Sequence, residues 1–306
     1  MKAPEMTALP ILLDTDIGTN VDDAIALSLV CASPELDLRA VTTVSGDTVL
    51  RARIASRILA LGGLGHVPVA AGIRAPLSGA ATFRWMGHEG AGIVDGTEHV
   101  ADAGAVDLTI ELLRREPLDV VAIGPLTNLA AAIAKAPAVV SSIRHLTVMG
   151  GRLGRDPGAP VVEYNLASDP DASLAVLSAG LPTTLVPLDV TWRVALRTRE
   201  LRRLRESASK LVQTLCDAIE RWARIRQGST ADSGDGRETL ALLHDPLTVA
   251  VLLDPSLVTW ERLRLRPGIE GDRFQLVDDE HSPEIEVAVA VDADRVVEVV
   301  MERLLA

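Results

Sequence analysis

The sequence predicts an α/β fold: an open, mostly parallel sheet covered by helices on both faces. Three observations predict it. Short apolar runs alternate with segments of helical periodicity through the first two thirds of the 306 residues. These runs are near-continuous in Val, Ile, Leu and Ala, as expected of strands buried on both faces. Polar turns follow two of them, at Asp14–Asn20 and Gly124–Asn128, where open α/β sheets gather ligands.

In order, Ile11–Leu13 reads as a strand, Asp23–Ala32 as a helix, Leu38–Val44 as a strand, Thr48–Leu61 as a helix and Val67–Ala71 as a strand. A helix over Asp107–Arg115 leads to a strand at Asp119–Ile123, and a helix over Leu126–Ala134 to a strand at His145–Met149. Pro170–Ala179 is helical and Thr183–Pro187 extended. Asp217–Gln227 ends a long Arg-rich helix. The Gly- and Ser-rich segment 228–237 then reads as a mobile loop beside the site. A helix after His244, strands near Val258–Leu265, Phe274–Val277 and Ile285–Val291, and a helix over Ala293–Leu305 complete the chain. No repeat divides it, and the C-terminal part has little to form its own core, so residues 1–306 are read as one domain.

Composition narrows the function. With 48% hydrophobic residues the chain is no disordered protein. A net charge of −12 argues against nucleic acid or anionic membrane as partner, since both are recognised by basic surfaces. A cation, or a ligand arriving with one, suits it better. Cys31 and Cys216 lack metal-ligand spacing and read as buried reduced thiols. The N-terminus lacks an apolar signal core, and no run approaches about 18 apolar residues, so a cytoplasmic location is expected.

The segment ILLDTDIGTNVDDAIALSL places Asp14, Asp16, Asp22 and Asp23 within ten residues, between a strand end and a helix start. One or two aspartates there need only cap the helix. Four crowd like charges, which repel by about 1 kcal/mol at 4 Å in water and several-fold more in a dry cleft. A cation relieves that, and hard oxygen donors select Ca²⁺ or Mg²⁺ over zinc. A strand ending in DxD also opens the haloacid-dehalogenase phosphatases. That chemistry needs a distant Lys, and Lys2, Lys135 and Lys210 follow no fitting strand end.

Three further segments carry polar groups. Gly124-Pro125-Leu126-Thr127-Asn128 opens a helix at a strand end. Glu163-Tyr164-Asn165 lies in a polar loop, where an extended backbone would point Glu163 and Asn165 the same way, towards two neighbouring hydroxyls. His244-Asp245-Pro246 is ordinary helix-start chemistry, and also offers a proton donor beside a metal ligand. Aromatics are only 2% of the chain, so Trp85, Tyr164, Trp192 and Trp222 are candidates to stack on a flat base; helix packing accounts better for Trp222 and Trp260.

Together these segments resemble the nucleoside hydrolases, the inosine–uridine-preferring nucleoside N-ribohydrolases. The matches run in order along nearly the whole chain: DTDIGTNVDDA, VTTVSGD at 41–47, GHEGAG at 87–92, IGPLTNLA at 123–130, VMGG at 148–151, VEYNLASDPDA at 162–172, LLHDP at 242–246 and VAVAVDADRV at 287–296. The resemblance implies a Rossmann-like nucleoside hydrolase fold. It implies a Ca²⁺ ion held by Asp16, Asp23, the Thr127 carbonyl and Asp245, with Asp14 as a further candidate. It implies hydrolysis of the N-glycosidic bond of purine or pyrimidine ribonucleosides, a step of nucleoside catabolism and salvage, by a homodimer or homotetramer. Asp16 would be the base. Asp22, Asp47, Glu163 and Asn165 would lie on the sugar, with Trp85, Tyr164 and His88 on the substrate. His244 would protonate the leaving base, or contact it. A mean hydropathy of +0.24 is compatible with buried subunit interfaces.

The chain departs from the family pattern in three places. Asp22 follows Asp16 by six positions, two more than in DxDPGxDD, so Asp14 and Asp16 stay open as the base. Met86-Gly87-His88 replaces the usual His-Gly. Asp156 and Pro157 stand where an Asn is usual, which puts the ribose 5′ end in question. An altered member that binds a riboside or sugar through calcium without cleaving it is the alternative.

Overall fold

The computed structural model describes residues 8–77, 79, 86–156, 158–160, 162–228, 239–270 and 273–306. Trp85 and most of the loop expected over 228–237 lie outside them.

The chain begins with β1 (Leu9–Thr15), α1 (Asp22–Cys31), β2 (Leu36–Thr43), α2 (Thr48–Leu61) and β3 (Val69–Ala71). Next come α3 (Ala105–Arg115), β4 (Leu118–Ala122), α4 (Thr127–Lys135), β5 (Ile143–Met149), α5 (Asn165–Ser168), α6 (Pro170–Leu177), β6 (Thr183–Val186) and α7 (Leu188–Thr191). The last third holds β7 (Ala195–Arg197), α8 (Thr198–Arg205), α9 (Lys210–Gly228), β8 (Thr239–Leu242), α10 (His244–Leu253), β9 (Val258–Glu270), β10 (Arg273–Asp278), β11 (Glu284–Val291) and α11 (Ala293–Leu305).

The strands form a sheet ordered β10-β9-β11-β6-β5-β4-β1-β2-β3. From β11 to β3 every pairing is parallel, and the β9–β10 hairpin adds an antiparallel edge. The parallel part and its helices follow from the apolar runs: Ile11 and Leu13 of β1 face one core, Leu12 the other. The first core packs α1, α2, α9, α10 and α11 on one face; the second packs α3, α4 and α6 on the other. Among the described residues no helix is long and apolar enough to cross a membrane.

The strand order reverses between β1 and β4, since β1 continues to β2 on one side and the chain returns to β4 on the other. Such a switch point leaves a crevice at the carboxyl ends of the strands. Asp14 and Gly124 lie at this crevice, and so does the start of α1.

Three local expectations need correction. Glu163–Asn165 is a helix start rather than an extended segment. The β7–β8 pair and α8 were not anticipated: β7 is three residues long and α8 is rich in Arg, while the short apolar run of β8 stands apart from the parallel sheet. Cys216 is buried as expected, but Cys31 is only partly so; both are free, and burial pushes their thiols up to about 11 and about 12 respectively.

Candidate active site

The acidic cluster is built where β1 ends and α1 begins. The Thr15 hydroxyl donates to Asp23 at 2.5 Å and accepts from the Ile17 N–H at 3.1 Å, tying the strand end to the helix start. Asp22 and Asp23 occupy the first turn of α1, where the helix dipole favours negative charge. From the other end of the chain, α10 brings Asp245 in its first turn. One carboxylate oxygen each of Asp22, Asp23 and Asp245 lies within 4.8 Å of the others, and all three residues are buried.

Burial dominates their electrostatics. It pushes Asp22 up to about 7 and raises Asp23 and Asp245 well above the usual carboxylate range, the neighbouring carboxylates adding to the rise. Asp16 is also raised by burial, against the Arg51 guanidinium, which lowers it. Asp22 Oδ1 and Asp14 Oδ2 are buried with no hydrogen-bond partner. Buried oxygens are rarely left so. A convergent set of carboxylates with an orphaned oxygen fits a hard divalent cation of the calcium or magnesium type.

At the cluster opens a cavity of about 350 Å³, lined by Asp16, Thr19, Asn20, Asp22, Asp23, His244 and Asp245. Glu163, Tyr164 and Asn165 line it too, with Ile123, Met149, Pro160, Val162 and Leu188 as apolar wall. The size suits a small molecule of one or two rings. A lining that combines carboxylates with apolar wall suits a polyhydroxylated group joined to a flat apolar one.

The sequence-predicted residues divide into two groups. Asp16, Asp22, Asp23, Glu163, Tyr164, Asn165, His244 and Asp245 all meet at this cavity. Glu163 accepts from the N–H groups of Asn165 and Leu166 at 2.6 and 3.0 Å, so it caps α5, while burial pushes it up to about 7. The Asn165 amide donates to the carbonyls of Ile123 and Met149, both at 3.1 Å, which fixes the ends of β4 and β5 under the cavity. His244 Nδ1 pairs with the Thr191 hydroxyl at 2.8 Å, and burial, then the Arg226 charge, push its pKa down to about 4.

The others do not line the cavity. Asp14 is held below the cavity by the Thr42 hydroxyl at 2.5 Å and the Asn128 amide at 2.8 Å, and burial pushes it up to about 7. Thr127 is buried at the first position of α4, its hydroxyl donating to Asp169 at 2.7 Å. Asp47 caps α2, accepting from the Leu50 N–H at 3.1 Å. His88 pairs with the Thr19 carbonyl at 2.9 Å and stacks on Trp222 at 5.9 Å, lining a smaller neighbouring pocket. Asp156 accepts from the Trp192 indole at 2.9 Å and from Arg193, which commits both it and Trp192 to that loop.

Two residues of consequence were not singled out from sequence. Arg51 is wholly buried beside Asp16, and its signal was a cation on the apolar face of α2 shared with Ile54, Ala55 and Ile58. Asn128, which the sequence places only in a helix start, bridges Asp14, the Thr43 carbonyl and the Ile73 N–H.

A model of the family described as inosine-uridine preferring nucleoside hydrolase matches residues 11–298. The pyrimidine-specific ribonucleoside hydrolase RihA of Photobacterium profundum is 34% identical over 96% of this chain and 98% of its own length. The protein of the same name from an Enterobacter species is 35% identical over 82% of this chain and 81% of its own. Among solved structures, the plant nucleoside hydrolase PpNRh1 superposes with a TM-score of 0.85 at 28% identity, over 97% of this chain and 99% of that one. A purine-preferring ribonucleoside hydrolase from Gardnerella vaginalis gives 0.83 at 29% identity, over 96% and 98%.

Proposed function

The chain belongs to the inosine-uridine preferring nucleoside hydrolases, enzymes that hydrolyse N-glycosyl bonds, and on that premise we propose that it splits ribonucleosides into base and ribose with the help of Ca²⁺ held in the acidic cluster. The observation that carries this reading is the convergence of Asp22, Asp23 and Asp245 within 4.8 Å in the wall of a cavity that Asp16 and His244 also line. Asp16, Asp23, Asp245 and the Thr127 carbonyl would hold the ion, with Asp22 beside it. When bound, it supplies a positive charge that acidifies a water and grips the ribose hydroxyls.

The chain's own groups then have distinct work. Asp16 takes the proton of the water that attacks C1′. As the bond to the base lengthens, positive charge develops on the ribose ring, and the surrounding carboxylates stabilise it electrostatically. Asp22 and Glu163 accept from ribose hydroxyls. The Asn165 amide nitrogen is committed to two strand-end carbonyls, so its oxygen is the atom offered to the sugar. Tyr164, 40% exposed at the cavity, gives the base an aromatic edge. His244, held through Nδ1 by Thr191, has Nε2 for the departing base.

The test is direct. Purified protein with Ca²⁺ is incubated with inosine, adenosine, uridine and cytidine, and free ribose and free base are measured. One ribose per base from at least one nucleoside is expected, with turnover lost on chelation. Calcium binding by calorimetry with no ribose from any of the four would leave only a riboside-binding role.

A further inference from the structure

We propose that Arg51 is a positioning residue of this site, a buried clamp that fixes the lengthened loop between Asp16 and Asp22; its effect on turnover rests on the hydrolase reading above. Among the described residues Arg51 is the bulkiest of the wholly buried side chains, on the apolar face of α2. An aliphatic residue would fill that place without the several kcal/mol needed to desolvate a cation. The guanidinium is therefore there for what it binds.

Its donors join the first half of the loop to the turn after β2. Nε donates to the Ser45 carbonyl at 2.7 Å, Nη1 to the Ile17 carbonyl at 2.8 Å, and Nη2 reaches the Thr19 hydroxyl at 3.4 Å. Nη2 also lies 3.8 Å from Asp16 Oδ2. Ser45, one of the anchor points, holds a left-handed φ of +67°, a conformation that a non-glycine residue keeps only with support from its surroundings. Arg51 does not line the cavity, whereas Asp16, Thr19 and Asn20 do. It acts through the loop.

The loop's length gives the clamp its purpose. Six positions from Asp16 to Asp22 exceed the DxDPGxDD spacing by two, and added residues raise the entropy lost in fixing a loop. Asp16 at one end and Asp22 at the other must hold their relation to within a fraction of an ångström for chemistry. A planar fork that satisfies acceptors on Ser45, Ile17 and Thr19 at once does this; a single ammonium point charge does not.

The experiment compares wild type with Arg51→Lys and Arg51→Met in amide hydrogen exchange over residues 17–21 and in steady-state turnover. Faster exchange confined to 17–21 is expected in both variants, with kcat lowered about 100-fold, the scale of a 1 Å misplacement, and KM moving far less. Wild-type exchange and kcat in both variants would overturn the proposal, as would protection lost evenly across the sheet, which marks a core residue only. If the Arg51 variants do not fold, Thr19→Val removes the accepting hydroxyl from a partly exposed position and reads the same two quantities; wild-type behaviour there overturns it equally. Wild-type protein that releases no ribose refutes the hydrolase reading alone, and exchange at 17–21 still decides whether Arg51 holds the loop.

Discussion

Asn128 and Asp14, 114 residues apart, are joined by a buried hydrogen bond of 2.8 Å from Nδ2 to Oδ1. The same nitrogen reaches the Thr43 carbonyl at 3.0 Å, and Asn128 Oδ1 accepts from the Ile73 N–H at 2.9 Å. One side chain thus ties the ends of β1 and β2 to the chain leaving β3, with Asp14 in the middle. Asp16, two residues on, is the one that reaches the cavity.

That division separates two substitutions. Asp14→Ala leaves the Thr42 hydroxyl and one of the two Asn128 amide hydrogens without an acceptor, at about 1–3 kcal/mol for each buried group left unpaired. It is expected to lower the melting temperature. Asp16→Ala is expected to lower kcat by about 10²–10⁴-fold, the worth of a positioned base, without a matching thermal loss. Ribose release and thermal melts on both variants decide it: an active Asp16→Ala beside a stable, inactive Asp14→Ala would transfer the base to Asp14.

How much of this was legible beforehand differs by element. β1, α2 and α11 follow from their own residues, because apolar periodicity and capping act within a few positions. Asp22 and Asp23 were visible as a cluster, yet Asp245, more than 200 residues away, was tied to them only by the order of motifs that the family shares. Glu163 misled, because its alternation with Asn165 presumed a strand. A glutamate two residues ahead of a helix start serves equally as a cap, and here it does. Arg51 was hidden for another reason: its two shortest hydrogen bonds go to backbone carbonyls, which leave no trace in sequence.

Metal binding and pH are coupled through the raised carboxylates. Asp22 rises from the usual value near 3.8 to about 7, and Asp23 and Asp245 rise too. The folded chain without metal therefore binds more protons than the unfolded chain across that window, and its stability falls as pH climbs through 7. A cation competes with those protons, so its binding strengthens in the same direction. The thermal shift produced by Ca²⁺ over chelator is expected to be largest above pH 7 and to fade towards pH 5. Equal shifts at pH 5 and pH 9 would place the ion elsewhere.

His244 is neutral at pH 7, since burial and Arg226 push its pKa down to about 4. A neutral imidazole assists a leaving base through a hydrogen bond rather than as a stored acid. His244→Ala is expected to slow natural nucleosides by about 100-fold. A riboside whose leaving group departs as a stable anion, such as 4-nitrophenyl riboside, needs no such help and should be hydrolysed at close to the wild-type rate. Equal losses on both substrates would assign His244 to shaping the cavity.

Gly124 supports Asp16 from below. A Cβ there would lie 2.9 Å from both the Asp16 nitrogen and Val44 Cγ1, and 3.2 Å from Asp16 Cβ, so the β1 end must move to admit it. Gly124→Ala is expected to cost about 1–3 kcal/mol through overpacking. Because the atoms displaced are those of Asp16 itself, kcat should fall by up to about 100-fold. Gly104→Ala is the control: its Cβ would meet only the Ala71 carbonyl, at ordinary contact distance, and both stability and turnover should hold. A Gly124→Ala protein that melts early yet keeps full kcat would show that Asp16 tolerates displacement, and that the site is held from the Arg51 side alone.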